Sequence, residues 1–224
     1  IDLLYRQNKT LEAMAETIWR KMFIEDADPG WKRSAINGLA IHEKKSVKPN
    51  KNIDTPYHHY SISAFDERQT PIEELGTLIQ SNKYEVTQNS ILFSKLNPHR
   101  EKRIWLILGS TLENSICSTE FQVIKPFHNK YLLFLYGFLN YPENYDEIAA
   151  SVGGTSSSHQ RIDPDMLFKF RCFIPDDDVL SSYNSIVEPI YTKIMNNRNS
   201  SRVLSHLRDN LLPKLMSGEV RVKV

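Results

Sequence analysis

The chain has 224 residues, of which 40% are hydrophobic and 25% are charged. This composition is typical of a folded globular protein and excludes disordered and fibrous classes. The formal net charge of +1 excludes a protein that coats nucleic acid through a general positive charge, so any nucleic-acid surface must be a local one.

The chain opens with a segment that predicts an amphipathic helix over residues 1–23. Its apolar residues return at spacings of seven, three, four and four, which keeps them on one helix face: Leu4, Leu11, Met14, Ile18 and Met22. Pro29 and Gly30 then end the helical pattern. Because the first residue is not methionine, we expect the chain to be a fragment or a processed form of a longer protein.

The middle of the chain, from residue 31 to residue 174, predicts an α+β domain that is rich in strands. Short apolar or alternating runs separated by turn residues predict strands at 57–65, 90–96, 104–108, 116–125 and 169–174. Longer apolar patterns predict helices at 130–140 and 143–152. The run of Gly, Thr and Ser at 153–158 predicts a loop.

The last part of the chain predicts a long helix that starts after the aspartates at 176–178. Ser181 or Ser182 is the expected N-cap, and the aspartates favour the positive end of the helix dipole. An apolar face follows at Tyr183, Val187, Ile190 and Ile194, and resumes at Leu204, Leu207, Leu211 and Leu215. We expect a kink at Pro189 and an end at Pro213 with Gly218.

Two amphipathic helices therefore bracket one body, with spacer segments at 1–24 and 179–218 and a body at 25–178. The narrow apolar faces predict that the two helices pack as an antiparallel coiled coil, in which Asn197 would fix the register. In the alternative, both helices cap the core of the body.

Basic residues concentrate in two segments of the body. Residues 31–51 contain one acidic residue, Glu43, and these basic residues: Lys32, Arg33, Lys44, Lys45, Lys48 and Lys51. Residues 95–103 contain one acidic residue, Glu101, and these basic residues: Lys95, Arg100, Lys102 and Arg103. The segment also contains a turn signal at Asn97-Pro98. Arginine can bond guanine and asparagine can bond adenine through two hydrogen bonds, so this turn has the chemistry to read bases. The alternative is an ordinary solvated surface.

Two further groups carry candidate hydrogen-bond donors. His58 and His59 point to opposite faces of the predicted strand, so they cannot easily share a metal. We expect them to pack under a DNA-facing loop, with one donating to a phosphate or a base. The loop that ends in His159, Gln160 and Arg161 could donate several hydrogen bonds to a nucleic-acid backbone, or could be only a hinge.

Catalytic patterns are weak. Glu43 and Lys45 form an ExK that could, with Asp28, imitate a metal-dependent nuclease, but this pattern is common by chance. Residues 97–100 resemble the N-P-P-Y turn of adenine methyltransferases only in part, and no glycine-rich nucleotide loop, GxSxG, HExxH or paired CxxC occurs. We expect no catalysis by the chain itself and no cofactor.

Several stretches, in order along the chain, resemble the specificity subunits of type I restriction-modification enzymes. Residues 1–16 are similar to the later half of the central conserved helix of that family, and residues 207–220 (LRDNLLPKLMSGEV) are similar to the end of its C-terminal conserved helix. Four further stretches resemble landmarks of its target-recognition domain: YHHYSISAFD at 57–66, ILFSKLNP at 91–98, ICSTE at 116–120 and GTSSSHQR at 154–161.

The resemblance implies a non-catalytic subunit that reads one half of a bipartite DNA target. Its helices would set the spacing and dock methyltransferase and restriction or translocase subunits, which perform methyl transfer from S-adenosylmethionine and ATP-driven translocation. The chain departs from the family pattern because it contains one recognition domain, so it would be a fragment or a half-subunit that self-associates through its helices. A metal-dependent nuclease and a helical adaptor without DNA affinity remain the alternatives.

With double-stranded DNA as the partner, lysines and loop amides would contact phosphates and a few polar side chains would read base edges in the major groove. The predicted DNA-binding residues are His58, His59, Lys95, Asn97, Arg100, Lys102, Arg103, His159, Gln160 and Arg161.

The remaining signals concern the compartment. Cys117 and Cys172 are isolated and indicate neither a disulfide framework nor a zinc site. No apolar run approaches the roughly 20 residues of a membrane span, and the opening segment is not a signal peptide. We therefore expect a cytoplasmic protein without a membrane partner.

Overall fold

The structure is a computed structural model that describes residues 1–151 and 160–219. Its helices are α1 (Asp2–Arg20), α2 (Ile62–Arg68), α3 (Leu132–Asn140), α4 (Pro142–Ala150), α5 (Pro164–Lys169) and α6 (Asp177–Met216). Its strands are β1 (Lys32–Ala35), β2 (Ala40–Glu43), β3 (Ser46–Val47), β4 (Pro56–Tyr60), β5 (Ile72–Leu75), β6 (Lys83–Glu85), β7 (Ser90–Ser94), β8 (Ile104–Ile107), β9 (Ser115–Ser118), β10 (Phe121–Pro126) and β11 (Arg171–Ile174). The predicted α+β class is confirmed.

The N-terminal helix packs through a face displaced by one residue from the predicted one. Ala15, Trp19 and Phe23 are buried in the core, whereas Met14 is 48% exposed. The predicted members Leu11, Ile18 and Met22 flank this face and are only partly buried. The displacement follows from the large aromatic rings of Trp19 and Phe23, which bury more area than the methionines beside them. A π-helical turn, Lys21–Glu25, extends α1.

The C-terminal helix is 40 residues long and starts earlier than predicted. Its N-cap is Asp176 rather than Ser181 or Ser182, because Asp177 and Asp178 already favour the first turn through the helix dipole. The helix continues through Pro189 and Pro213 and ends at Met216, before Gly218 with its φ of 75°. The helix therefore ends near the glycine, which tolerates a positive φ, and not at the second proline.

The two long helices pack antiparallel, as predicted. The rings of Phe23 and Tyr183 lie 4.8 Å apart, and far along the pair Asn197 Nδ2 donates to Asn8 Oδ1 at 2.8 Å. Asn197 is 2% exposed and also donates to Gln7 Oε1. A buried amide pair of this kind is satisfied in only one alignment of two helices, so it favours a single register.

Three sheets form the body. The four-stranded sheet has the order β2-β10-β7-β8 with antiparallel neighbours, and the five-stranded sheet has the order β3-β6-β9-β4-β5 with one parallel pair, β4 and β9. A separate antiparallel pair joins β1 to β11. Five short strands, β1, β2, β3, β5 and β6, were not predicted, because runs of two to four residues carry little periodicity.

Two predicted strands are divided. Residues 57–65 form β4 and then the start of α2, because the Ser61 hydroxyl caps the helix by accepting from Ala64 N at 3.0 Å. Residues 116–125 form β9 and β10, separated by a turn in which Glu120 N donates to Ser118 Oγ. In both cases a local side-chain bond interrupts an apolar run.

The four-stranded sheet lies between two layers because its residues alternate between faces. One face, which includes Phe93, packs in the main core with the long helices and α3. The opposite face, which includes Leu92 and Trp105, packs against Tyr60 and Cys117 of the five-stranded sheet. The order of layers is therefore helices, four-stranded sheet, five-stranded sheet.

Candidate nucleic-acid interface

One end of the four-stranded sheet collects several polar connections. At this end β2 and β7 finish and their antiparallel neighbours β10 and β8 begin. The paired residues there are Glu43 with Val123, Ser94 with Phe121 and Phe93 with Ile104. We call this the turn end and define it as residues 43–45, 94–103, 118–121 and 160–162. The opposite end, the hinge end, is the pair β1 and β11 with the connection 36–39 that leads to the start of β2.

A short backbone pairing holds two predicted segments together at the turn end. Asn97 N donates to Gln160 O at 2.8 Å, and Ile162 N donates to Lys95 O at 2.9 Å. Lys95 N in turn donates to Glu120 O at 3.0 Å. The fold thus brings Lys95, Asn97, Gln160 and Arg161 together, although they come from two distant stretches of sequence. His159 lies outside the described residues.

The predicted turn at Asn97 is present. Asn97 has a φ of 47°, a left-handed conformation that asparagine adopts more readily than most residues, and its carbonyl accepts from Arg100 N at 3.0 Å. The turn leaves His99 and Arg100 exposed. Within residues 1–151 and 160–219, Arg100 makes no ion pair, so its guanidinium is available to a ligand.

Arg161 is exposed but paired. Its Nε and Nη2 donate to the two Glu120 carboxylate oxygens at 2.9 and 3.0 Å, and its side chain is 45% exposed. The bond to Glu120 raises the pKa of Arg161, which stays cationic. Its charge is therefore partly compensated.

Two other predicted basic residues bind groups of the protein itself. Arg103 donates to both Asp66 oxygens, at 2.6 and 2.8 Å, also bonds Glu101, and has a side chain that is 10% exposed. Lys102 Nζ donates to Asn140 O at 2.8 Å, toward the helical layer. These contacts join β8 to α2 and α3, which argues against the predicted DNA contacts of both residues.

The two histidines predicted for DNA contact lie in the middle of β4, outside the segments that form the turn end. His59 Nδ1 is 2.6 Å from Glu74 Oε2, and its side chain is 13% exposed. Burial lowers the pKa of His59 more than the Glu74 contact raises it. His58 Nδ1 is buried and has no hydrogen-bond partner among the described residues. The Glu74 contact and the low exposure of His59 argue against its direct contact with DNA, whereas the DNA contact of His58 stays a prediction.

The first basic segment, 31–51, is split among three places. Lys32 and Arg33 lie on β1 at the hinge end, and Lys44 and Lys45 lie at the turn end. Lys48 and Lys51 flank or end the helical turn Pro49–Lys51 that follows β3. Lys45 is bound to Glu85 at 2.7 Å, whereas Lys44 is exposed and unpaired within the described part of the chain. Of the cations in this segment, only Lys44 therefore adds an unpaired charge to the turn end.

His42 is a neighbour of this surface that the sequence did not single out. Its ring stacks on Phe168 of α5 with centroids 5.5 Å apart and an interplanar angle of 11°, a contact between residues far apart in sequence. Burial, followed by the charges of Lys44 and Lys95, lowers the pKa of His42 to about 4. The imidazole is thus neutral, and the positive charges of Lys44 and Lys95 act on it.

The alternative of a metal-dependent nuclease is not supported. Glu43 Oε2 accepts from Thr87 Oγ1 at 2.6 Å, Lys45 is bound to Glu85, and Asp28 lies before β1 at the hinge end. Among the residues that the structure describes, no group of three or more His, Cys, Asp or Glu side chains could hold a metal ion. In the same part of the chain, no helix is both long and apolar enough to span a membrane.

No protein-family model matches the chain. The chain is 26% identical to the type I restriction enzyme MjaIX specificity subunit of Methanocaldococcus jannaschii, over an alignment that covers 97% of this chain and 55% of the relative. The chain therefore spans about half the length of the curated relative it matches.

Solved structures show the same fold. The HsdS subunit of Thermoanaerobacter tengcongensis matches with a TM-score of 0.56 and 21% identity, covering 86% of this chain and 50% of that one. The S subunit of a type I restriction-modification system from M. genitalium matches with a TM-score of 0.62 and 12% identity, covering 96% and 56%. In sequence and in fold, the chain is therefore similar to type I restriction specificity subunits, as its motifs predicted, and it spans about half the length of these relatives.

Proposed function

We propose that the chain is a non-catalytic, DNA-reading unit that recognises one half of a bipartite target for a type I restriction-modification enzyme. In this proposal residues 25–178 are the recognition domain, and residues 1–24 and 179–218 form the spacer. The observation that carries the proposal is the turn end, where the fold gathers a polar turn and exposed cations from separate stretches of a chain whose net charge is only +1.

Each group at the turn end has a distinct part. Lys44 and Lys95 supply positive charge beside the neutral His42, which suits contacts with backbone phosphates. Asn97, Arg100 and Gln160 can bond to base edges, and the turn that presents two of them is fixed by backbone hydrogen bonds. Phosphate contacts would thus set the position, while the amides and the guanidinium would read the sequence.

The partners follow from the same proposal. One relative is named as a specificity subunit of a type I restriction enzyme and another as an S subunit of a type I restriction-modification system. These names support methyltransferase and restriction or translocase subunits as partners of the paired long helices. Leu207, Leu211 and Leu215 are exposed on α6 and would lie against such a subunit or a second copy of the chain. Catalysis would belong to the partner subunits, in the cytoplasm.

The test is selection from a pool of duplex DNA with randomised central positions. We expect the full chain to retain a fraction enriched in a short motif, and the Arg100→Ala variant to lose the preference at one position of that motif. A retained fraction with the base composition of the input would contradict sequence reading. Absence of any DNA retention at low salt would instead favour the helical adaptor.

A further inference from the structure

A cleft of about 390 Å³ lies where the end of α2 approaches the paired long helices. Residues of α1, α2 and α6 line it, together with Gln69 and Thr70 just after α2. Gln69 caps α2 in a left-handed conformation, with a φ of 51°, and so turns the chain beside the cleft. The lining has more hydroxyl, amide and charged groups than apolar ones.

Three cations of the cleft have no carboxylate partner within the described parts of the chain: Lys9, Arg68 and Arg202. Lys9 Nζ lies 5.5 Å from the centroid of the Tyr5 ring, and Arg202 Nη2 donates to the neutral amide oxygen of Asn199 at 3.0 Å. All three side chains are on exposed residues, one from each of the three helices. Their charges are therefore available to an anion.

Most acids of the same cleft are already neutralised. Glu12 is bound by Arg198 at 2.8 Å, and Asp66 is held by Arg103 through two hydrogen bonds. Among the acids that line the cleft, Glu67 has no cationic partner within the described residues, so one unpaired acid faces three unpaired cations. The cleft thus keeps a positive surplus in a chain of nearly zero net charge, and an anionic ligand would meet little repulsion there.

The cleft adjoins the turn end. Asp66, in its wall, is bound to Arg103, which directly precedes β8 at the turn end. A duplex that lies across the turn end would continue past this contact, and its backbone would present phosphates to the cleft. Arginine forms paired hydrogen bonds with phosphate oxygens, and serine and threonine hydroxyls are common phosphate donors.

We propose that this cleft binds backbone phosphates of the same duplex whose bases the turn end reads. The contact extends DNA binding from the recognition domain onto the spacer helices, and it does not depend on base sequence. The inference rests on the proposed function, since it requires a duplex at the turn end.

The test compares two triple variants, each probed with the randomised duplex pool over a series of salt concentrations. The first, Lys9→Gln with Arg68→Gln and Arg202→Gln, neutralises the cleft. The second, Lys32→Gln with Arg33→Gln and Arg171→Gln, removes three exposed, unpaired cations of the hinge end, counted among the described residues. Thermal melting of each variant shows whether the fold is retained.

We expect the cleft variant to flatten the slope of log affinity against log salt by about two to three, because each phosphate contact contributes about 0.9. The enriched motif should stay unchanged, and the hinge-end variant should keep the slope of the parent chain. A cleft variant with the parent slope would overturn the inference, while loss of base preference in Arg100→Ala would leave the proposed function standing.

Other outcomes separate the two proposals further. If the parent chain retains no DNA, both fail. If the cleft variant keeps the parent salt slope but no longer assembles with a methyltransferase subunit, the cleft binds an acidic protein segment instead, and the phosphate inference is wrong.

Discussion

The turn end and the hinge end differ in what surrounds their cations. At the hinge end, Trp31 stacks on Phe173 with centroids 5.3 Å apart, and Phe23 of the π-helical turn after α1 packs beside both rings. At the turn end, backbone hydrogen bonds join two separate segments around Asn97, and the stacked rings of His42 and Phe168 lie beside its lysines. One end is built to join the helices to the body, and the other presents polar groups.

The comparison shows that a count of cations does not locate a binding surface. Lys32, Arg33 and Lys44 belong to one basic segment of sequence, yet the fold sends the first two to the hinge end and the third to the turn end. What distinguishes Lys44 is its neighbours, the neutral His42 and a second cation, Lys95. The following predictions test whether stability and DNA affinity separate between the two ends.

The largest expected effect is in the main core, where α1 packs on α3, away from the turn end. Trp19 is 1% exposed, and its Nε1 donates to Phe134 O at 3.1 Å. Trp19→Ala should lower the free energy of unfolding by about 3–5 kcal/mol, because it leaves a large cavity. Denaturant unfolding measures the loss, and Met14→Ala, an exposed position on the same helix, is the control. A loss equal to that of the control would show that α1 is not part of the core.

The next effect contrasts two paired arginines at the turn end. Arg103 and Arg161 each bind a carboxylate through two nitrogens, but their side chains are 10% and 45% exposed. Arg103→Ala should cost about 1.5–3 kcal/mol of unfolding free energy, and Arg161→Ala less than about 1 kcal/mol, because solvent screens the exposed pair. Equal losses in denaturant unfolding would remove the distinction between a structural and a surface arginine.

A smaller effect concerns DNA affinity. Arg100→Glu should weaken duplex binding about tenfold, or about 1.4 kcal/mol, with a shallower salt dependence. Lys32→Glu makes the same change of charge at the hinge end and should have little effect. Fluorescence anisotropy with a labelled duplex measures both variants. Equal weakening by the two would mean that affinity follows net charge rather than the turn end.

The smallest effect concerns pH. The pKa of His42 in the folded chain is about 4, against an ordinary value of 6.5, so the folded state favours the neutral ring. As pH falls from 6.5 towards 4, the unfolded chain takes up this proton first, and stability is lost. The loss should be on the order of 1 kcal/mol, reduced by the partial exposure of the ring.

His42→Phe keeps a ring beside Phe168 and should unfold with a smaller dependence on pH over the same interval. Denaturant midpoints at a series of pH values provide the comparison with the parent chain. The same pH dependence in both proteins would show that His42 is not the group responsible.

Much of the fold could be predicted from the sequence. The two long helices were visible because their apolar residues recur over many turns, and Asn197 stood out as a polar residue within such a face. The start of α6 was misplaced because Asp176 and the serines after it are all good N-caps. The strands of two to four residues were missed because their pairing, rather than a local pattern, defines them.

The candidate site was predicted less completely, because side-chain partners come from tertiary structure. Charge and turn residues pointed to Lys95, Asn97 and Arg100, but nothing local indicated that Arg103 would bind Asp66 or that His59 would meet Glu74. His42 gave no signal, since its stacking partner Phe168 is remote in sequence. Which cations are free could therefore be decided only from the fold.

The most direct measurement maps which end of the sheet faces DNA. Cys117 and Cys172 are buried, and burial raises the pKa of each thiol to about 12, so a newly introduced exposed cysteine can be labelled selectively. An iron chelate that cleaves nearby DNA would be attached at His99→Cys in the turn end and, separately, at Lys32→Cys in the hinge end; both residues are exposed. We predict that the duplex is cut from position 99 and not from position 32. Cutting from position 32 alone, by a chain that still binds DNA, would contradict the account.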